Sequence, residues 1–334
     1  MTPPPWEGPI RRYPEPFRPA APPTPLGNAG GYSGARLWRI EAPAGPLVLR
    51  LWPVDGPDRP ALEMIHGWLR EARDLPFLPV PIPALDGRTL VEIDGRSWEL
   101  APWLPGRADA ARPSSTPRVR AIFAALAAFH RKLGARPVEG PSPGLLARLS
   151  ETERLLAGDF EAIAAAIQRA PADPHSPTVA RWLARARALA PGLLAPIRAA
   201  LSRPLPLQPV LRDARADHFL LGADRLTGLV DFGAMGRDTV AADLARLLAD
   251  AVGPDRPARA EALSAYESVR PLQAAESLAI PIFERANALL APAHWARWHF
   301  LERRRFDDPD AVGRGLRRGL ERLDEELGSP TRDH

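Results

Sequence analysis

The stretch that decides the fold is VLRDARADHFLLGADRLTGLVDFG, residues 210–233. It places Asp213 directly after an arginine and Asp231 at the start of an Asp-Phe-Gly triplet. Two short apolar runs lie between them, separated by a Gly-Ala-Asp turn at 222–224, which is typical of a tight β-hairpin. The segment therefore predicts two carboxylates held at strand ends by one hairpin.

Two carboxylates placed in this way match the needs of phosphoryl transfer. One carboxylate orients the attacking hydroxyl, and the other holds a magnesium ion against the nucleotide triphosphate. An Asp-Phe-Gly triplet alone is weak evidence, because short triplets recur by chance. Its connection through a hairpin to an upstream Arg-Asp pair makes the indication stronger.

The pattern resembles the catalytic core of the protein-kinase-like superfamily, and within it the aminoglycoside phosphotransferase and homoserine-kinase-like branch. The resemblance implies that Asp213 is the catalytic-loop aspartate and Asp231 a metal ligand. Two positions depart from the family pattern, since Leu211 replaces the loop histidine and His218 replaces the asparagine that binds the second metal. We keep His218 as a candidate metal ligand, although imidazole suits magnesium less well than oxygen, which Asp217 beside it would offer.

The same resemblance implies a nucleotide site upstream. A glycine-rich turn contains Gly30, Gly31 and Gly34, where backbone amides would approach the phosphates of ATP. Arg50 stands where the family's third strand carries a phosphate-binding lysine. The only lysine of the chain, Lys132, falls on a later helix and cannot fill that role.

Two further expectations concern the surroundings of the nucleotide. The acidic partner of Arg50 should come from the helix after its strand, with Glu63 as the first choice and Glu71 as the alternative. By the family resemblance, backbone groups of Glu99 and Ala101 should hold the adenine edge.

The family resemblance implies an α+β, protein-kinase-like, two-lobed fold, and the strands and helices indicated by hydrophobic periodicity agree with it. We expect residues 1–24 to form an extended, proline-rich arm, and residues 25–105 to form an N-terminal nucleotide-binding lobe with a small antiparallel sheet, ending in a hinge. Residues 106–334 should form a larger, mainly helical C-terminal lobe with the catalytic loop and the substrate site.

The individual elements follow from apolar spacing and turn residues. Strands are predicted at 35–40, 47–52, 89–93 and 97–101, the last two joined by the Asp94-Gly95 turn. Helices are predicted at 60–74, 119–133, 145–169, 179–201, 240–251, 257–269 and 313–327.

Composition excludes several classes of protein. The 334 residues are 45% hydrophobic and 25% charged, as in globular proteins. Basic and acidic residues are interleaved and the net charge is only +4, so nucleic-acid binding is not expected. The sequence has no uncharged apolar run of membrane-spanning length and no secretory signal, so we expect no membrane partner and a cytoplasmic location. The absence of cysteine excludes disulfides and thiolate catalysis.

These observations predict a kinase that uses ATP and Mg²⁺ to phosphorylate a hydroxyl of a small molecule. A protein substrate is not expected, because the Asp-Phe-Gly triplet leads almost directly into a helix and leaves no long activation loop. The alternative is a pseudokinase-like nucleotide-binding or interaction protein with a degenerate site, which the departures at Arg50, Leu211 and His218 favour. The presence of both aspartates separates the two hypotheses, because a degenerate site has no chemical need for the pair.

Overall fold

The computed structural model describes residues 4–27, 34–108, 115–306 and 308–328. Its strands, in chain order, are β1 Thr24–Gly27, β2 Arg36–Ala42, β3 Gly45–Leu51, β4 Val91–Ile93, β5 Arg96–Pro102, β6 Arg107–Ala108, β7 Val138–Gly140, β8 Leu205–Val210, β9 Phe219–Gly222, β10 Arg225–Leu229 and β11 Gly236–Asp238.

The helices include three that end in a short π-helical turn. They are α1 Glu7–Ile10, α2 Arg59–Glu71, α3 Thr116–Leu133, α4 Pro143–Arg154, α5 Phe160–Arg169, α6 Ser176–Leu201, α7 Ala241–Leu247, α8 Arg256–Glu267, α9 Ala274–Ala296 and α10 Ala311–Gly328. The π-helical turns are Leu155–Asp159, Leu248–Val252 and Arg297–Leu301.

The described strands form three sheets. The largest is a five-stranded sheet of order β1-β2-β3-β5-β4, and the other two are three-stranded sheets of order β10-β9-β6 and β11-β8-β7. The β9–β10 hairpin contains the turn predicted at 222–224, where Ala223 has a positive φ of 55°. The predicted α+β class with an antiparallel sheet and many helices is confirmed.

The chain divides into two compact units that do not follow chain order. The first comprises Met1–Ala135, Arg215–Gly236 and Glu261–Arg270, and the second comprises Arg136–Ala214, Arg237–Ala260 and Pro271–His334. Both the five-stranded sheet and the β9–β10 hairpin therefore belong to the first unit. Asp213 belongs to the second.

In the first unit, the N-terminal segment is folded and is not the extended arm that we expected. Ile10 and Tyr13 are buried in the same cluster as Trp38, Ile40 and other side chains of the five-stranded sheet. The Leu85 N–H also donates to the Arg12 carbonyl at 2.8 Å. The segment has few apolar residues, but Ile10 and Tyr13 are large and pack into the core of the five-stranded sheet.

Local sequence signals explain the β4–β5 turn and helix α2 of the first unit. Asp94 and Gly95 both have positive φ, 51° and 68°, as a two-residue type I′ hairpin turn requires. Helix α2 begins after Asp58, whose side chain accepts the Ala61 N–H at 2.9 Å, and Pro60 occupies its first turn. The predicted hairpin and helix are both present.

In the second unit, the helix predicted at 145–169 is divided in two. Gly158 has a φ of 156°, which interrupts the helical backbone between α4 and α5. The periodicity on both sides is helical, so a sequence pattern alone does not locate the break.

Helix α9 of the second unit was not predicted. It is buried along most of its length, and Pro281 and Pro292 lie inside it. An all-round apolar face and internal prolines both obscure a helical pattern. The Gln273–Glu276 capping box at its start was a readable signal. No described helix of the chain is both long and apolar enough to cross a membrane.

Candidate active site

A buried polar network surrounds Arg50 in the first unit. Arg50 and Glu99 face each other across β3 and β5, with Nε and Oε1 3.5 Å apart. Glu99 Oε2 also accepts from Trp52 Nε1 at 3.0 Å and lies 2.8 Å from His66 Nε2. His66 Nδ1 is in turn 2.7 Å from Thr89 Oγ1. Glu99 is thus hydrogen-bonded from two elements and held beside the Arg50 guanidinium.

The environment of Glu99 stabilises its charged form. Burial by itself raises the pKa of this carboxyl, but the nearby Arg50 guanidinium and the hydrogen bonds from His66 and Trp52 outweigh it. The resulting pKa lies below the ordinary glutamate value. Arg50 is therefore matched to a carboxylate that stays ionised at neutral pH.

The expected partner of Arg50 was wrong. Glu63 instead pairs with Arg59, one helical turn away, at 2.8 Å. Glu63 lies in the exposed first part of α2, whereas Glu99 is opposite Arg50 in strand register. Cross-strand neighbours share one face of a sheet, which makes Glu99 the adjacent acid. Glu71, the alternative, is an exposed residue at the end of the same helix.

The expected role of Glu99 and Ala101 in adenine binding also requires correction. The Trp52 N–H donates to the Ser97 carbonyl at 2.9 Å, and the Trp103 N–H donates to the Pro46 carbonyl at 3.0 Å. Hydrogen-bonded pairs alternate along an antiparallel ladder, so the backbone groups of Glu99 and Ala101 face β3. The sheet therefore uses the groups that we expected to hold adenine.

The glycine-rich turn is described only in part. Gly30 and Gly31 lie outside the described residues. Gly34 has a φ of 73°, in the left-handed region that favours glycine. An added Cβ there would be 3.7 Å from Pro53, so backbone conformation, more than space, accounts for the glycine.

Asp231 and His218, the two predicted metal ligands, lie close together in the first unit. Asp231 Oδ2 lies 3.4 Å from His218 Nε2, and Asp217 Oδ1 lies 3.8 Å from the same nitrogen. Within the described part of the chain, Asp217 Oδ1 is a buried oxygen without a hydrogen-bond partner. Such an orphaned acceptor fits a hard divalent cation, and Mg²⁺ prefers oxygen ligands over imidazole.

The backbone around Asp231 is strained and tightly packed. Asp231 has a φ of 67°, a conformation that is uncommon for non-glycine residues and concentrates at functional positions. Phe232 packs against Phe129 with ring centroids 6.1 Å apart. A Cβ added to Gly233 would lie 3.0 Å from the Trp52 ring. Aromatic rings therefore pack against Phe232 and close to Gly233.

Asp213 lies in the second unit, on a loop that helix α7 holds. The buried Asp243 carboxylate accepts the N–H groups of Leu211 and Arg212, each at 2.7 Å. Arg212 has a φ of 64°, so a left-handed residue directly precedes Asp213. Asp243 therefore anchors the loop that carries Asp213. Arg246, one helical turn further, donates from Nε to Asp213 Oδ1 at 3.1 Å.

A charged pocket lies beside this loop in the second unit. Arg246 is part of its wall, so the pocket borders the ion pair of Asp213. Its other charged or amide side chains are Arg256, Arg259, Glu284, Asn287, Arg322, Glu325 and Glu326.

The arginines of the pocket are largely balanced by acids. Arg259 pairs with the buried Glu284, and Arg322 pairs with Asp250 at 2.5 Å. Asn287 Oδ1 accepts from Arg148 at 2.6 Å, whereas its Nδ2 is a buried donor with no partner among the described residues. The pocket is therefore polar, close to neutral and equipped with a spare donor.

Sequence reasoning missed His66, Trp52 and Arg246. They come from separate elements, and only the register of β3 and β5 or the turn of α7 brings them to the candidate residues. Asp238 is also buried, and it accepts from Ser142 Oγ at 2.5 Å and from the Gly144 N–H at 2.8 Å. It fixes the start of α4.

The fold and the motif residues together define a protein-kinase-like phosphotransferase architecture. Residues 26–279 match the model of the phosphotransferase enzyme family (APH), and the chain belongs to this family. The resemblance to the aminoglycoside phosphotransferase and homoserine-kinase-like branch is therefore confirmed.

Individual proteins are also similar to this chain, in part of the sequence or in fold. A homoserine kinase of Methylobacterium radiotolerans is 38% identical over 125 residues, which are 34% of this chain and 39% of that relative's length. An aminoglycoside phosphotransferase from Alicyclobacillus acidocaldarius has a TM-score of 0.64 at 15% identity, covering 95% of this chain and 92% of its own. An amicoumacin kinase in complex with AMP-PNP, Ca²⁺ and Ami has a TM-score of 0.60 at 14% identity, covering 87% and 86%. The two structures establish similarity of fold.

Proposed function

We propose that this protein transfers the γ-phosphoryl group of ATP, with Mg²⁺, to a hydroxyl group of a small molecule. The proposal rests mainly on the backbone conformation at the two motif aspartates, which is left-handed at one of them and directly before the other. Asp231 is itself left-handed, and Asp213 directly follows a left-handed residue whose N–H is bound by Asp243. Strain of this kind costs about 1–3 kcal/mol and persists where a side chain must be held in one direction.

Asp213 is proposed to accept a hydrogen bond from the acceptor hydroxyl and to receive its proton as the phosphoryl group is transferred. The carboxylate is 41% exposed, and Arg246 fixes one of its oxygens. Orientation of the hydroxyl rather than covalent chemistry is the main task of a residue in this position.

Asp231 and Asp217 are proposed to hold the cation, with His218 orienting Asp231. When bound, the cation neutralises charge on the phosphate oxygens. Arg50 is proposed to contact the phosphates. Its guanidinium is fixed by Glu99 and lies over the Trp52 ring at 4.7 Å, so it needs little further ordering on binding.

The acceptor is proposed to occupy the charged pocket of the second unit. The pocket borders Asp213 through Arg246 and offers the unpartnered Asn287 Nδ2 among the described side chains. A lining with both arginine and glutamate side chains suits a small polar molecule with charged groups better than an apolar one. The homoserine kinase relative is consistent with an acceptor of this type.

The pseudokinase hypothesis has one specific support. Leu211 is buried at the position where the family motif carries a histidine, so it contributes to the core and not to a site. The ordered surroundings of Asp213 favour the enzyme, because association alone does not require an arginine to orient that carboxylate.

The deciding experiment measures binding and turnover together. Wild-type protein should show a Mg²⁺-dependent thermal shift with ATP and should phosphorylate at least one compound in a panel of small hydroxyl compounds. Asp213→Asn should retain the shift and lower kcat by roughly 10²–10⁴-fold. Asp231→Asn should lose the Mg²⁺-dependent part of the shift.

Asp224→Asn is the matched control, since Asp224 lies in the turn of the same hairpin and pairs only with the exposed Arg118 among the contacts described. It should leave both readouts unchanged. A shift without turnover on any acceptor would favour the pseudokinase, and the absence of any ATP-dependent shift would reject both nucleotide-binding hypotheses.

A further inference from the structure

Three potential metal ligands meet in the second unit, away from the residues discussed above. Asp173 and His175 lie in the turn before α6, and His299 lies in the π-helical turn after α9. One ligand atom from each lies within 4.8 Å of the other two. No local ligand spacing in the sequence indicates this group, because His299 is far from the other two residues along the chain.

Hydrogen bonds within the turn that carries Asp173 hold its side chain in place. Asp173 Oδ1 accepts the His175 N–H at 2.9 Å, and the Ser176 N–H donates to the Asp173 carbonyl at 3.1 Å. Asp173 Oδ2 lies 2.8 Å from His299 Nε2. The carboxylate is therefore held between the two histidines by backbone and side-chain contacts.

The two imidazoles are arranged around the carboxylate. Their ring centroids are 5.1 Å apart and the ring planes cross at 81°, so the rings are not stacked on each other. His299 and Asp173 keep 28% and 22% of their side-chain surface exposed, which leaves a route for solvent and ions. Two imidazole nitrogens and one carboxylate oxygen form a donor set suited to zinc and similar transition metals, with water in the remaining positions.

One charge opposes a cation here. Arg317 of α10 approaches the His175 ring near Gly313, where an added Cβ would lie 3.2 Å from Arg317 Nη1 and 3.1 Å from His175 Cε1. The positive charge of Arg317 therefore weakens the affinity of this group for a cation.

We propose that Asp173, His175 and His299 form a site for a divalent transition metal, with Zn²⁺ as the best match. The metal would join the start of α6 to the turn that ends α9, and its role would be structural. On binding, the Nε2 nitrogen of His299 exchanges its contact with Asp173 for the metal, and any proton on that nitrogen moves to the other ring nitrogen or to solvent.

The test is titration of the tag-free, chelator-treated full chain with Zn²⁺, followed by calorimetry and thermal unfolding, and with Co²⁺, followed by its visible absorption. Wild-type protein should bind one Zn²⁺ per chain, show a raised Tm, and give the intense Co²⁺ bands of a low-coordinate nitrogen and oxygen site. Mg²⁺ should produce none of these effects at this site.

Variants separate the site from adventitious binding. His175→Gln and His299→Asn should each weaken Zn²⁺ binding by more than about tenfold. Arg317→Met should strengthen it, and this gain cannot result from misfolding. His294→Gln is the matched control. His294 lies on α9 and pairs with Glu151 of α4, but it does not belong to the three-residue group.

Failure of wild-type protein to bind Zn²⁺ and Co²⁺ stoichiometrically would overturn the proposal. Unchanged affinity in both histidine variants, or an equal loss in His294→Gln, would overturn it as well. None of these outcomes depends on the kinase activity, so the metal site and the proposed function are tested separately.

Discussion

Arg246 Nε donates a hydrogen bond to Asp213 Oδ1 at 3.1 Å, and Arg246 also lines the charged pocket of the second unit. One side chain thus joins the candidate catalytic carboxylate to the candidate acceptor site. Arg246 lies on α7 three residues after Asp243, so a single helix turn both anchors the loop and orients its aspartate.

Replacement of Arg246 tests this link. Arg246→Gln should lower kcat by roughly 10²-fold, because a loosely oriented carboxylate no longer aligns the hydroxyl. The KM for ATP should stay within a factor of about two of the wild-type value, since the change is in the second unit. Steady-state kinetics with the acceptor identified in the panel measures both constants. Arg225→Gln, an exposed arginine of β10, is the control, and an equal loss of kcat there would contradict the orienting role.

The buried Asp243 should be needed for stability as well as activity. Asp243→Asn replaces a charged acceptor of two N–H groups by an amide that can satisfy only one of them well. We expect the free energy of unfolding to fall by about 2–4 kcal/mol, measured by urea unfolding. Asp224→Asn removes an exposed ion pair and should change it by less than about 1 kcal/mol. Equal effects of the two substitutions would contradict the anchoring role.

The network around Glu99 predicts a pH dependence. The pKa of Glu99 is lowered in the folded protein, whereas an unfolded glutamate titrates near about 4.3. The stability that this shift provides is fully present above the unfolded value and is lost as the pH falls through the folded pKa. The difference in unfolding free energy between wild type and Glu99→Gln should therefore be constant near neutrality and shrink on acidification. Glu63→Gln, with an exposed carboxylate paired to Arg59, should show little difference at any pH. A difference between wild type and Glu99→Gln that persists unchanged in acid would contradict the shift.

The contact between Gly233 and Trp52 predicts the outcome of two alanine substitutions. Gly233→Ala places a Cβ 3.0 and 3.1 Å from ring atoms of Trp52 and should cost about 1–3 kcal/mol of stability. Gly67→Ala is the matched control. Gly67 lies inside α2 with no described atom within 4 Å of its added Cβ, so alanine there should be neutral or stabilise by up to about 1 kcal/mol. Thermal and urea unfolding measure the stability of both variants. Equal changes in stability would contradict a steric cost from the Trp52 ring.

The sequence predicted the parts of the fold that depend on local signals. The Asp94-Gly95 turn, the helix at 60–74 and the hairpin between the two aspartates were all predicted from neighbouring residues. The family resemblance identified the two carboxylates in the same way.

Features that depend on register or on distant contacts were not predicted. From the sequence we expected only a backbone role for Glu99. Its side chain pairs with Arg50 because β3 and β5 align those two residues. Local spacing on α2 suggested Glu63 instead. Helix α9 was missed for a different reason, since its prolines and buried surface hide the periodicity that a half-exposed helix displays.

The buried N-terminal side chains have a practical consequence for recombinant work. The family match begins at residue 26, yet Ile10 and Tyr13 fill the core beneath the five-stranded sheet. A truncated form that starts at the homology boundary would uncover that apolar surface and invite aggregation. The folded core of the first unit therefore extends beyond the region that the family model matches.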